Sequence, residues 1–252
     1  MIFINHNIVF EVNSEIIEYD ISSANISVCR EFNLLPTNII DRIASLDKKE
    51  RVVAIGKMMR KDREFSKALE NGFNTAVKRF IQNNGLLESD IIAIRKDAVF
   101  VLNKAIQNST VGTHINFAKK NIYHAFIRLK PYEIFFKRDG SIDMKGKDDK
   151  KIAYHMNGML NIMKRLIDTC EMYGKSKSVI NTFMKSVVDD YKELRLPIDT
   201  YRNFSTDTFV SVDGDITADY EFIDFDNFDD LHIDIGYNYI YFILPLYRML
   251  CQ

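Results

Sequence analysis

Apolar residues in the first hundred positions come in short runs that are rich in β-branched and aromatic side chains. Such runs predict strands. The first two are Ile2–Ile4 and Ile8–Val12, which we predict to pair with each other, and the third is Ile16–Ile21. Two further runs, 91–94 and 98–102, are separated by only three residues. They predict a β-hairpin.

The region between these strands has a helical period instead. Across Lys48–Asn83 apolar residues recur mostly three or four positions apart, and no proline interrupts them. This spacing predicts an amphipathic helix. Asp47 is placed to cap its start, with Glu50 at the position of a capping box. We predict a break near Lys61–Asp62 or at Gly72.

The second half of the chain changes from strands to helices. Residues 115–136 are rich in aromatic and β-branched side chains and predict two or three antiparallel strands. A charged linker over 141–151 follows and marks the clearest candidate boundary. Helical periods then cover 152–173 and 177–194, and a final helix is predicted over Tyr237–Leu250. The pattern as a whole predicts an α+β fold.

Composition excludes several classes of protein. The 252 residues are 46% hydrophobic and 27% charged, which is typical of a globular protein. No apolar run reaches the length of about 18 residues that a transmembrane helix needs, so we expect no membrane partner. The three cysteines are scattered, which indicates a reducing compartment, such as the cytoplasm, and no structural zinc.

The net charge of −1 hides a strong asymmetry. Ten acidic residues and no Lys or Arg lie in the segment Asp207–Asp234. Residues 1–206 therefore contain 33 basic and 25 acidic residues, a net charge of +8. A basic body of this kind favours a phosphate-rich partner, although a solvated charged surface explains it equally well.

Two aspartates stand at the ends of predicted strands and carry the candidate chemistry. Asp20 ends the third strand, and Asp97 lies in the turn of the predicted hairpin. Phosphoryl transfer to a nucleic acid uses two divalent ions held by a few oxygen ligands. If the two side chains meet, they are suited to Mg²⁺ or Mn²⁺. An aspartate at a strand end is otherwise most often a turn former or a helix cap.

The residues around these aspartates resemble the palm and thumb region of family B-like, phage-type DNA polymerases. Tyr19–Ser27 is similar to the first palm motif, Asp-x-x-Ser-Leu-Tyr-Pro-Ser, with matches at Asp20, Ser23 and Ser27. Ile91–Val101 resembles the Asp-Thr-Asp-Ser motif with its flanking strands, and Asp97 takes the place of the second aspartate.

Further similarities follow in the family's order along nearly the whole chain. Residues 119–123 resemble a Lys-Lys-x-Tyr element that contacts the duplex, and 143–146 resemble the opening of the thumb. The resemblance covers no exonuclease domain. It implies an antiparallel palm sheet with helices on one face, a short helical fingers hairpin and a mostly helical thumb. The implied domains are palm at 1–36 and 85–140, fingers at 37–84 and thumb at 141–252.

The resemblance and the charge pattern together assign three groups of site residues. The catalytic and metal-binding group is Asp20 and Asp97, with Ile21 as a further metal ligand. The nucleotide-binding group is Ser22, Ser23, Ala24, Asn25, Arg60, Arg63, Lys67 and Asn71. The group on the primer-template duplex is Lys96, Lys119, Lys120, Tyr123, Lys145 and Lys147.

Three departures from the family pattern bear on activity. Arg95 and Lys96 replace the first aspartate of the second motif and its threonine, and positive charge beside a metal site weakens metal binding. Asn25 replaces the tyrosine that rejects a 2′-hydroxyl in the family. The resemblance therefore implies weaker discrimination against ribonucleotides than the family shows.

The sequence thus predicts a template-directed polymerase, minimal or one subunit of a split enzyme. Its small size and its many Lys, Asn and Ile residues favour a phage or mobile-element protein in the cytoplasm, which is the host cytoplasm if a phage encodes it. The expected partners are a primer-template duplex, nucleoside triphosphates and other polymerase subunits. The alternative is a catalytically degenerate palm–thumb protein that binds nucleic acid or has an architectural role. A small reverse-transcriptase-like palm is a third interpretation. The lack of paired aspartates at the second site argues against it.

Overall fold

The structure is a computed structural model. It describes residues 2–129, 132–145, 157–197, 200–201, 209–212, 215–218 and 239–251. Its strands, in chain order, are β1 (Ile2–Ile4), β2 (Phe10–Glu11), β3 (Ile16–Ile21), β4 (Ile91–Arg95), β5 (Ala98–Leu102), β6 (Thr110–Val111), β7 (Ile115–Tyr123), β8 (Ala125–Leu129), β9 (Tyr132–Phe136), β10 (Ile142–Lys145), β11 (Phe209–Val212) and β12 (Asp215–Ala218). Its α-helices are α1 (Ala24–Glu31), α2 (Thr37–Ala44), α3 (Lys48–Lys61), α4 (Arg63–Asn83), α5 (Asn157–Tyr173), α6 (Lys177–Lys192) and α7 (Leu244–Leu250).

The chain forms two compact units. The first contains Met1–Ile8 and Ser14–Tyr123, and the second contains Val9–Asn13 and His124–Gln252. The chain therefore passes from the first unit to the second between Tyr123 and His124, whereas the sequence predicted a boundary at 141–151. That linker lies largely outside the described residues. The assignment of ranges to palm, fingers and thumb stays a prediction.

The first unit is built on a six-stranded antiparallel sheet in the order β1-β4-β5-β3-β7-β6. Alternate residues of β3, namely Ile17, Tyr19 and Ile21, enter one hydrophobic core with helices α1 to α4. Phe80 of α4 lies at the centre of that core, with its ring centroid 4.1 Å from that of Phe117. The alternation of β3 fixes the remaining residues, among them Asp20, on the opposite face of the sheet.

The helical region breaks at one of the two predicted places. Asp47 and Glu50 form the expected capping box at the start of α3. Asp62 ends α3, and its side chain accepts hydrogen bonds from the first turn of α4. Helix α4 continues through Gly72, where an added Cβ would lie 2.5 Å from the Val28 side chain. Gly72 is therefore a close-packing position and not a helix end.

The predicted hairpin is confirmed, and the predicted first strand pair is wrong. β4 and β5 pair antiparallel, with Lys96 in the left-handed region at φ 57° in their turn. β1 pairs with β4, however, and β2 pairs with β8 in a different sheet. Periodicity identifies a strand and its buried face but contains no information about its partner.

The second unit contains an antiparallel sheet in the order β10-β9-β8-β2 and the helices α5, α6 and α7. α5 and α6 lie within the predicted helical ranges 152–173 and 177–194, of which 152–156 is outside the described residues, and Gly174 between the helices has φ 86°. A buried ion pair joins Arg128 and Glu133 at 3.1 Å. The predicted α+β class is confirmed for the described residues. None of their helices is long and apolar enough to cross a membrane.

Candidate active site

The fold brings Asp20 and Asp97 together. Asp20 is the penultimate residue of β3 and lies opposite Ala98 in the register of β5. Asp97 precedes Ala98 in the β4–β5 turn, and its carbonyl oxygen accepts a hydrogen bond from the amide of Ile21 at 3.3 Å. Both side chains line one cleft, and they are close enough for the charge of Asp20 to raise the pKa of Asp97. The fold therefore places the two aspartates at one site, as the sequence analysis expected.

Asp97 has an environment that disfavours its ionised form. Burial raises the pKa of Asp97, and the nearby charge of Asp20 raises it further. The charge of Lys96 offsets part of this increase in pKa. Two neighbouring carboxylates repel each other when both are ionised, and a cation between Asp20 and Asp97 would relieve that repulsion.

Lys120 is the cation that the structure places at Asp20 and Glu18. Its ammonium nitrogen lies 2.6 Å from Asp20 Oδ2 and 3.6 Å from Glu18 Oε1. The hydrogen bond to Asp20 is the largest cause of a raised pKa for Lys120. Glu18, two residues before Asp20 on the same face of β3, is a buried carboxylate that sequence reasoning missed. An acidic residue inside an otherwise apolar strand was the signal that could have found it.

A cleft of about 520 Å³ opens on Asp20, Asp97 and Lys120. It contains the loop that leads from β3 into α1, where Ser23 adopts a left-handed conformation at φ 50°. Both the predicted loop residues and an unpredicted pair of basic residues line it. The lining comprises Asp20, Ile21, Ser22, Ser23, Ala24, Asn25, Ile26, Lys48, Arg51, Val52, Ile55, Asp97, Ala118, Lys119 and Lys120.

The basic side chains that α3 contributes are not the predicted ones. Lys48 and Arg51 line the cleft, with Val52 and Ile55 on the same helical stripe. Arg60 is nine residues beyond Arg51, which places it about 13 Å further along the helix axis. Among the described residues, the cleft lining includes none of the predicted Arg60, Arg63, Lys67 and Asn71. The stripe with i, i+3, i+4 and i+7 spacing was the signal that could have found Lys48 and Arg51.

The predicted duplex-binding residues separate into three groups. Lys119 and Lys120 line the cleft. Lys96 turns away from it, with its ammonium 4.8 Å from the centroid of the Phe73 ring. Tyr123 is buried and donates a hydrogen bond to Glu18 at 2.8 Å, so it is not placed to contact a nucleic acid. Lys145 ends β10 in the second unit, and Lys147 lies outside the described residues.

The donor set fits a hard divalent cation that keeps most of its ligands as water or substrate oxygens. Within the described part of the chain, no three His, Cys, Asp or Glu side chains are grouped to share a metal ion. The protein would therefore supply the carboxylates of Asp20 and Asp97 and the main chain at Ile21. Mg²⁺ is commonly bound by one or two carboxylates together with substrate phosphates.

A model of one protein family matches residues 1–251, nearly the whole chain; its description reads bacteriophage PBS1 gene 130 protein. The chain belongs to this family. The predicted phage origin is thereby confirmed. The family description names a phage gene product and no activity, so the polymerase resemblance stays a prediction. Comparison with curated proteins gave no match.

Proposed function

We propose that this phage protein is a template-directed nucleotidyltransferase of the polymerase type, with its active site at Asp20 and Asp97. The observation that supports the proposal most directly is that both aspartates line one open cleft together with four basic residues, close enough for the charge of Asp20 to raise the pKa of Asp97. Asp20 comes from the end of β3 and Asp97 from the β4–β5 turn beside it, and such carboxylates are the ligands that a two-metal phosphoryl-transfer site uses.

Each part of the cleft has a separate task in this proposal. Bound divalent cations would supply charge neutralisation and activation of the attacking hydroxyl. Asp20 and Asp97 hold and orient that charge. Lys48 and Arg51, at the start of α3, are suited to neutralise the triphosphate, because their cationic groups are preferred partners of phosphate. Lys119 and Lys120, on β7, provide further positive charge to the cleft.

A primer-extension assay with Mg²⁺ or Mn²⁺ tests the proposal. Asp97→Asn and Asp20→Asn retain the side-chain shape and remove the charge, so extension should fall at least about a hundredfold, in line with the loss of an electrostatic group in a catalytic site. Asp189→Asn is the matched control, because Asp189 is an exposed residue of α6 in the other unit. Extension that survives both cleft variants would refute the proposal.

The second candidate is a non-catalytic nucleic-acid-binding or architectural subunit. It is favoured by the ion pair of Lys120 with Asp20 and by the basic residues Arg95 and Lys96 beside Asp97. This candidate predicts no extension by the wild type, together with duplex binding that weakens steeply as salt increases. Extension that depends on Asp97 would exclude it.

A further inference from the structure

Strand β7 contains one more residue than β3 at the level of the site. Glu18 lies opposite Asn121 and Tyr19 lies opposite Lys119, so Lys120 is the extra residue of a β-bulge. A bulge bends its strand and re-aims a side chain. Here the re-aimed side chain reaches two carboxylates, Asp20 at 2.6 Å and Glu18 at 3.6 Å.

Glu18 is fixed independently of Asp20. Its side chain is only 2% exposed, and its Oε2 accepts hydrogen bonds from Asn121 at 2.7 Å and from the Tyr123 hydroxyl at 2.8 Å. Both donors belong to β7, one and three residues after Lys120. A buried carboxylate is tolerated when it is hydrogen-bonded and has a counter-charge. Oε1 is the oxygen that faces the Lys120 ammonium.

We propose that Lys120 is the intrinsic counter-ion of Asp20. It occupies the position at Asp20 that a divalent cation needs, and Glu18 is the positioning residue that retains the ammonium when a cation takes that position. The inference rests on the proposed function, because it assumes that Asp20 binds a cation. It adds a regulatory property: Asp20 has a partner charge without a bound cation, and the site accepts a cation only at a raised concentration.

The consequence is a competition between Lys120 and the cation for one carboxylate oxygen. Removing the lysine charge should strengthen cation binding by about two- to fivefold, the range that a partly exposed ion pair contributes. Lys119 is a suitable comparison, since it lines the same cleft but lies opposite Tyr19 and not at the bulge. Removing the charge of Lys119 changes the net charge of the cleft by the same amount as removing the charge of Lys120.

Titration of the protein with Mn²⁺, followed by the electron paramagnetic resonance signal of the free ion, tests the inference without reference to activity. Lys120→Met should bind Mn²⁺ about two- to fivefold more tightly than the wild type, and Lys119→Met should change the affinity much less. Lys120→Arg retains the charge and should stay close to the wild type. Equal effects of the Met variants at 119 and 120 would overturn the inference.

The same titration separates this inference from the proposed function. Mn²⁺ binding that does not weaken in Asp20→Asn would refute the proposed cation site itself. Binding that depends on Asp20 but not on Lys120 would refute only the counter-ion. Circular dichroism establishes that each variant is folded. If Lys120→Met does not fold, Lys120→Gln leaves a hydrogen-bond donor for Glu18 and has the same expected result.

Discussion

The hydroxyl of Tyr123 makes a sharp test of how the buried acid beneath the site is held. Tyr123→Phe removes one oxygen atom and leaves the ring, which is 1% exposed and lies 6.4 Å from the Phe100 ring. The packing is therefore retained. The change deletes the hydrogen bond of 2.8 Å to Glu18 Oε2.

The expected loss of stability follows from what Glu18 retains. A hydrogen bond to a charged group contributes about 1.5–3 kcal/mol, and a neutral one about 1 kcal/mol. Asn121 continues to donate to the same oxygen at 2.7 Å, and Lys120 stays near the other oxygen. We therefore expect Tyr123→Phe to lower the free energy of unfolding by about 1.5–2 kcal/mol, at the lower end of the charged range.

Urea unfolding followed by circular dichroism measures this loss. Because the chain forms two compact units, the curve is to be fitted with two transitions if they separate. Tyr173→Phe is the matched control, since Tyr173 is 69% exposed and its hydroxyl faces solvent. A change of less than about 0.5 kcal/mol for Tyr123→Phe, similar to the control, would refute the reasoning.

Three further predictions concern the first unit. Folding raises the pKa of Asp97, so the folded state binds the proton of Asp97 more tightly than the unfolded state does. The free energy of unfolding therefore falls as the pH rises above the unfolded-state pKa of Asp97 and the group ionises. Asp97→Asn should therefore increase the free energy of unfolding at pH 7, and the increase should disappear below about pH 4; an equal gain at both pH values would contradict this. Gly72→Ala should cost about 1–3 kcal/mol by overpacking against Val28, measured by urea unfolding, and an unchanged midpoint would show that the helices move apart freely. Arg51→Met should weaken the binding of a nucleoside triphosphate, measured by calorimetry, by about 2- to 30-fold, equivalent to the 0.5–2 kcal/mol that we assign to one charged contact; the same change at Arg60 should have little effect, and the opposite order would contradict the cleft assignment.

Local patterns predicted much of the first unit, because they are properties of neighbouring residues. Asp47 and Glu50 form a capping box through atoms three residues apart. The hairpin needed only two apolar runs and a turn. The pairing of β1 with β4 was not predictable in this way, since it joins residues about 90 positions apart and depends on which strand edges the rest of the fold leaves open.

The sequence by itself determined that Asp20 and Asp97 end predicted strands, and its ordered resemblance made their meeting an expectation. Only the tertiary structure decided which charges surround them. The bulge in β7 directs Lys120 to Asp20, and the direction of α3 brings Arg51 to the cleft in place of Arg60. The physical reason is that a side chain's direction depends on strand register and helix orientation, and packing of distant segments sets both.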